Sequence, residues 1–287
     1  MAGSESVVET LVNIDRYPLD DLEGRSCRDV VEHARRHLTE DGCCVLPQFI
    51  RGSVLEALRS ECVDLIPGAD HVSEVVNVYK TEPDASLPTD HPARFMMERG
   101  NAFVARDRIP AASVIHRLYG DEMFQHFIAR CFGLPRVYEL ADPLAGLCLN
   151  VVAPGMSHPW HFDINEFAVS MVTQRADDGG EFDYCPNIRS ASHENIDDVR
   201  EVLTGRDRGL VRSLTLQVGD LQLFRGRYSL HRIREVRGDH ERLSAIFAYS
   251  GQADVIGSPD RTRLLFGRVT PQHDKDSSAA HPDGLLG

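Results

Sequence analysis

Leu147-Cys-Leu-Asn-Val-Val-Ala-Pro-Gly-Met-Ser-His-Pro-Trp-His-Phe-Asp163 decides how the rest of the chain is read. Its first half is an apolar run closed by Ala153-Pro-Gly155, the punctuation of a strand followed by a turn. Its second half sets His161 and Asp163 two positions apart. On a strand such side chains share a face, with Cα atoms roughly 6.5–7 Å apart, so the two can bind one metal ion together. A third ligand must come from elsewhere. The best candidate is His231, which ends a second strand-like run, Gly219-Asp-Leu-Gln-Leu-Phe-Arg-Gly-Arg-Tyr-Ser-Leu-His231. A lone His-x-Asp is a weak signal, because about one chance match is expected in such a chain. Indeed His281-Pro-Asp283 is a second copy. That copy falls in a polar terminal stretch with nothing to fix its geometry, whereas His161-Phe-Asp163 falls on an expected strand.

Two imidazoles and one carboxylate on one face of an octahedral ion leave three adjacent positions open. Non-haem Fe(II) oxygenases use this arrangement to take co-substrate and O2. A co-substrate anchor is legible downstream. Arg237-Gly-Asp-His240 suits a two-residue hairpin with Gly238 first. In that register Glu235 faces Arg242 and His231 faces Ile246, which puts His231, Arg242 and Ser244 on one face. His231 and Arg242 then stand four residues apart along the ladder, roughly 13–14 Å. A five-carbon diacid fits that gap, held by iron at one end and by the Arg242 fork with the Ser244 hydroxyl at the other. The competing reading is an internal Glu235–Arg242 ion pair, with Arg237 as fallback anchor.

On either side of this core the texture differs. Residues 1–25 are polar and acidic and read as an arm. From Ser26, a plausible N-cap, Val30, Val31, Ala34 and Leu38 recur at helical spacing to an Asp41-Gly42 stop. Cys43 to Pro47 reads as a short buried strand, and Leu55, Leu58, Cys62 and Leu65 mark a second amphipathic helix. Residues 69–110 mix a possible strand at Val75 to Tyr79 with turn-rich segments, the texture of a lid or binding loop. Arg94 and Arg99 near its end are candidates to clamp a substrate carboxylate, although solvated surface arginines would look the same. Helical patterns return over 111–118 and 121–132. Strand-like runs then dominate at 146–153, 161–173, 180–185, 212–217, 221–225, 229–236 and 242–249, with one helix near 195–204. This is an α+β, β-rich pattern. It predicts a double-stranded β-helix, a jelly roll of the cupin kind, with flanking N-terminal helices and a metal site in the mouth between its sheets. The expected organisation is one domain over 26–266, helical over 26–135 with its jelly-roll core over 136–250, followed by a loose tail at 267–287.

Composition narrows the partners. A formal charge of −13 without a basic stripe excludes an electrostatic nucleic-acid binder. No signal peptide and no bilayer-length apolar run are visible, so a cytoplasmic protein without membrane contact is expected. Seven cysteines with no C-x-x-C pair predict free buried thiols. Oligomeric state is not readable.

Taken together, these residues resemble the Fe(II)/2-oxoglutarate-dependent oxygenase superfamily. Asp41-Gly-Cys-Cys-Val-Leu-Pro47 after the first helix is similar to the start of phytanoyl-dioxygenase-like members. His161-x-Asp163, His231 and Arg242-x-Ser244 match the ligand and co-substrate pattern in order. A narrower likeness over about 145–250, carried by His161-Phe-Asp-Ile-Asn-Glu-Phe167, Gly179-Gly-Glu-Phe-Asp-Tyr-Cys-Pro186 and the run ending at His231, is to small stand-alone enzymes that halogenate or hydroxylate free amino acids. In the halogenases of that group a small residue replaces the carboxylate ligand and halide fills the gap. Asp163 therefore implies hydroxylation. The resemblance implies Fe(II), 2-oxoglutarate and O2, with oxidation of a C–H bond coupled to formation of succinate and CO2.

The substrate is expected to be a free amino acid or something like one. Ile164 follows the metal carboxylate, and Ile246 and Ala248 share a face with Arg242, which favours an uncharged side chain. His158 could meet a substrate carboxylate or amine, while Asn150 and Trp160 are placed to hold the co-substrate. Desaturation or oxidative cyclisation would begin with the same hydrogen abstraction. A non-catalytic metal-binding jelly roll acting as a binding protein or sensor is the alternative from another class. A zinc hydrolase would leave Arg242-x-Ser244 without a task.

Overall fold

Along 242–246 the side chains alternate. Arg242, Ser244 and Ile246 face a cavity, whereas Leu243 and Ala245 enter the main apolar core, which Phe247 joins while also touching the cavity. This period of two recurs on the neighbouring strands and divides a solvent-accessible mouth from a dry helical layer. The computed structural model describes residues 6–71, 74–206, 209–273 and 285–286.

The helices are α1 (Val7–Leu11), α2 (Arg25–Glu40), α3 (Leu55–Asp64), α4 (Val114–Tyr119), α5 (Glu122–Phe132), α6 (Ile196–Leu203) and α7 (Pro259–Phe266). The strands are β1 (Cys43–Leu46), β2 (Glu74–Val76), β3 (Met97–Arg99), β4 (Asn101–Val104), β5 (Tyr138–Glu139), β6 (Leu147–Val152), β7 (His158–His161), β8 (Ala168–Gln174), β9 (Asp178–Gly179), β10 (Phe182–Cys185), β11 (Arg212–Leu214), β12 (Leu221–Phe224), β13 (Leu230–Ile233), β14 (Val236–Arg237), β15 (Arg242–Phe247) and β16 (Tyr249–Ser250).

Two antiparallel sheets form the jelly roll, one of six strands ordered β1-β12-β8-β15-β6-β4 and one of four ordered β11-β10-β13-β7. Between them Phe182 meets Phe224 edge to face at 5.1 Å, in a cluster with Val152, Val172, Ile233 and Val236. The outer face of the large sheet carries the helical layer. There Val31, Ala34 and Leu38 of α2, Leu58 of α3 and Phe124, Phe127 and Ile128 of α5 pack on Leu149, Leu223 and Ala245. Each large apolar side chain buried there contributes on the order of 1.5–3 kcal/mol. All seven cysteines are free and buried, as expected. Among the described residues no helix is long and apolar enough to cross a membrane.

Several expectations need correction. The N-terminal segment is no loose arm over its described part. Ser6 and Glu9 close a capping box on α1, and Val8, Leu11, Val12, Tyr17 and Leu19 are buried in the main core. Five helical residues in an acidic stretch were too few to show a period. α2 begins at Arg25 with Gly24, not Ser26, at its cap. The strand expected over 161–173 is two, because 162–167 leave the sheet before β8 begins. The hairpin expected between His231 and Arg242 does not exist either. β13 pairs with β10 and β7, β15 pairs with β6 and β8, and β14 pairs with β9.

The stretch over 69–110 is largely ordered by pairing. β2 and β3 form a hairpin, and β4 edges the large sheet. At the other end α7 was not anticipated, although Ser258 as N-cap, Pro259 in the first turn and Gly267 in the left-handed conformation are the signals for it. His273 is buried against Asp142, so the body continues past 267. Residues 274–284, with His281 and Asp283, lie outside the described residues.

Candidate metal centre and active site

His161 ends β7 and pairs directly with His231 of β13, so two adjacent strands present both rings to one point. Asp163 reaches that point from beyond the strand, its amide donating to the Gly226 carbonyl at 3.1 Å. The Asp163 Oδ1 lies 3.6 Å from Nε2 of each histidine, and the three ligand atoms fall within 4.8 Å of one another. Those separations are too long for hydrogen bonds. Three donors thus converge without satisfying one another, which is what a metal ion would require.

The imidazoles are prepared for that role. Nδ1 of His161 meets the Pro159 carbonyl at 2.8 Å, and Nδ1 of His231 meets the Ser229 carbonyl at 2.9 Å. A carbonyl can only accept, so each Nδ1 carries the proton and each Nε2 turns a lone pair to the centre. Burial holds both rings neutral, driving their proton affinity below the usual histidine range, most strongly for His161. Two neutral imidazoles and one carboxylate fit a first-row divalent ion, and Fe(II) with three open positions in particular.

A cavity of ≈ 360 Å³ opens beside these donors. On its large-sheet wall Arg242 is 6% exposed, donates to Ser244 Oγ at 2.5 Å and forms no ion pair with any described carboxylate. Burial alone pushes this guanidinium down to about 10. Gly180 makes room for it, since a β-carbon there would stand 3.0 Å from the Arg242 Cδ. Asn150 lines the same wall and accepts from Asn101 at 2.8 Å. The alternative readings of this region fall away. No Glu235–Arg242 pair forms among the described residues, and Arg237 pairs with Asp178 at 2.6 Å on the exposed side.

His158 stacks on His161 with ring centroids 3.9 Å apart and lines the cavity, as do Ile164, Ile246, Ala248 and Arg99. Two expected site residues lie elsewhere. Trp160 is buried in another cluster under Arg232, whose guanidinium sits 4.6 Å from the ring centroid, because alternation sends residue 160 to the opposite face from 161. Arg94 is outside the cavity lining and donates to the Leu87 carbonyl at 2.8 Å. Among the lining residues not anticipated are two cations, Lys80 and Arg261. Arg261 would have followed from the capping signals of α7. Lys80, a single cation in a polar turn, carries no local signal at all.

Over residues 27–261 the sequence matches the family Halogenase D. The chain belongs to the Halogenase D family. No curated protein matches this Halogenase D member in sequence. Among solved structures it is similar in fold to the carbocyclase SnoK of nogalamycin biosynthesis, a non-haem α-ketoglutarate-dependent enzyme, with TM-score 0.52 and 15% identity over 76% of this chain and 83% of that one. A prolyl hydroxylase from Trichoplax adhaerens gives TM-score 0.51 and 13% identity, covering 85% and 98%. HygX from Streptomyces hygroscopicus, solved with nickel, 2-oxoglutarate and hygromycin B, gives 0.50 and 15%, covering 78% and 88%. The Halogenase D chain shares the fold of these three enzymes.

Proposed function

We propose that this protein hydroxylates an unactivated C–H bond of a free amino acid or a similar small molecule, using Fe(II), 2-oxoglutarate and O2. The observation that carries the reading is Arg242, a buried guanidinium without a carboxylate partner among the described residues, in the same cavity as the His161–Asp163–His231 donors. A buried cation left unpaired is costly, and a ligand carboxylate relieves it. His161, Asp163 and His231 would hold the iron, Arg242 and Ser244 the distal carboxylate of 2-oxoglutarate, and Asn150 would stand beside it. When bound, the iron and 2-oxoglutarate supply the oxidation, one oxygen atom going to succinate as CO2 leaves and the other to the substrate.

Asp163 supports hydroxylation over halogenation within the family. Its carboxylate takes the position a halide would need, and the backbone at Gly226 is shaped to receive it. His158, Ile164, Ile246 and Ala248 would face the substrate. The test is anaerobic addition of Fe(II) and 2-oxoglutarate, which should give a weak visible charge-transfer band, followed by air and amino acids with succinate measured. No band and no succinate with any amino acid would refute the proposal. His161→Ala separates it from a metal-bound sensor, since an enzyme would lose turnover and keep its melting temperature, whereas a structural metal site would lose stability.

A further inference from the structure

Lys80, Arg99 and Arg261 all line the cavity, and none has a part in holding the iron or 2-oxoglutarate. They come from three separate places, the turn after β2, the end of β3 and the first turn of α7. Each is positioned by structure of its own. Lys80 has φ of 57°, in the left-handed region, and its turn is built around the fully buried Asn77. The Asn77 Oδ1 accepts from the amides of Tyr79 and Thr81 at 3.0 and 3.2 Å, and its Nδ2 donates to the carbonyls of Thr81 and Ala93 at 2.9 and 2.8 Å. Arg99 is 7% exposed, lies 3.5 Å from Glu74 and donates through Nη2 to the Leu264 carbonyl at 3.2 Å, while its Nε has no hydrogen-bond partner among the described residues. The side chains of Lys80 and Arg261 make neither an ion pair nor a hydrogen bond with any described residue.

The charges do not balance. Of the carboxylates lining the cavity, Asp163 belongs to the metal centre. Asp142 is occupied by the amides of Leu144, Ala145 and Gly257 and by His273. Glu74 pairs with Arg99 alone, so the side chains of Lys80 and Arg261 stand at the cavity with no carboxylate paired to them among the described residues. A protein holds such half-buried cations together only at a cost that an anionic ligand removes. The single carboxylate of a zwitterionic amino acid with an uncharged side chain can answer one of them and leaves the other without a counter-charge.

We infer that the substrate is a small amino-acid-like molecule with a second anionic group, a carboxylate or a phosphate, received by Lys80, Arg99 and Arg261. The inference rests on the oxygenase reading of this site and replaces the uncharged side chain expected from Ile164, Ile246 and Ala248, which wall the same cavity. Recognition is by charge-assisted hydrogen bonds, for which amide or hydroxyl isosteres are poor substitutes.

The test is calorimetric titration of the purified protein, saturated with Ni(II) and 2-oxoglutarate, with glutamate, glutamine, O-phosphoserine and serine. One acid should bind at least about tenfold tighter than its neutral counterpart, and which acid does so separates carboxylate from phosphate. Lys80→Met and Arg261→Gln should each erase most of that preference while leaving 2-oxoglutarate affinity unchanged. Equal binding of acid and neutral counterpart, binding of neither acid by protein that binds 2-oxoglutarate, or a preference that survives both substitutions would overturn the inference. Should metal and 2-oxoglutarate fail to bind, the proposed function fails instead. The acid-over-neutral preference, repeated without either, still decides the inference.

Discussion

Gly226 passes its carbonyl to the Asp163 amide, and a β-carbon on Gly226 would stand 1.9 Å from the Asp163 Oδ2 and 2.6 Å from its Cγ. The carboxylate therefore rests on bare backbone, and no larger residue fits beneath it. Gly226→Ala should push Asp163 off the common point of the two histidines. Metal affinity should fall about tenfold to a hundredfold, the scale of losing a ligand's support, with the melting temperature of the metal-free protein little changed. Metal titration beside thermal melting checks this, and unaltered metal affinity would show that Asp163 is no ligand.

Arg242 gives a second expectation. Arg242→Gln keeps the length of the side chain and removes the charge, so affinity for 2-oxoglutarate should drop roughly tenfold to a hundredfold. The ligand-free protein should melt no lower, because the substitution removes a buried, unpaired cation. Titration of the charge-transfer band with 2-oxoglutarate gives the affinity. A variant that binds the diacid as well as the parent would remove Arg242 from the co-substrate site.

Lys80 sets the pH dependence. Burial first and the nearby Arg261 second push its ammonium down to about 7, with Arg99 acting the same way and Asp163 and Glu74 opposing. In the unfolded chain the lysine holds its proton to about pH 10. Between about pH 7 and pH 10 the unfolded state thus binds more protons, and this group's contribution makes the ligand-free protein more stable as pH rises through that window. Anion binding has the opposite dependence. It needs the charged form, so affinity for an acidic ligand should be flat below about pH 7 and weaken above it. Calorimetry from about pH 6 to about pH 9 reads the slope, and Lys80→Met should flatten it.

The Asn77 turn is the test of positioning. Asn77→Ala leaves the amides of Tyr79 and Thr81 without the acceptor they share, in a buried setting, and should cost about 2–4 kcal/mol of stability by denaturant unfolding. Any preference for acidic ligands should weaken with it, because Lys80 loses its fixed backbone. Asn77→Asp, which keeps the acceptor, should retain more of that preference than Asn77→Ala.

His161 and Asp163 were legible as candidate metal donors because their spacing is local. His161 and Asp163 are two residues apart, and either strand or loop backbone brings them to one ion. Arg242 and Ser244 were found through a hairpin that is not there. The result survived because β15 alternates whatever it pairs with, so 242, 244 and 246 share a face in any register. The same alternation, applied to β7, would have excluded Trp160. Of the cavity cations Arg99 was named from the sequence, whereas Lys80 and Arg261 were not legible. Lys80 reaches the cavity through a turn held by contacts of Asn77 as distant as Ala93, and nothing in its own neighbourhood encodes them. Arg261 depends on α7 folding back from beyond the last strand.

His161 and His231 stand on the four-stranded sheet, whereas Arg242 and Ser244 stand on the six-stranded one. The reach from one set to the other is therefore fixed by how far apart the sheets are wedged, and Phe182 against Phe224 is part of that wedge. If 2-oxoglutarate bridges the two sets as proposed, the mouth would act as a calliper that admits diacids by length. Keto acids shorter or longer by one carbon should be poor fits, and thinning the wedge should loosen the gauge before it harms the fold.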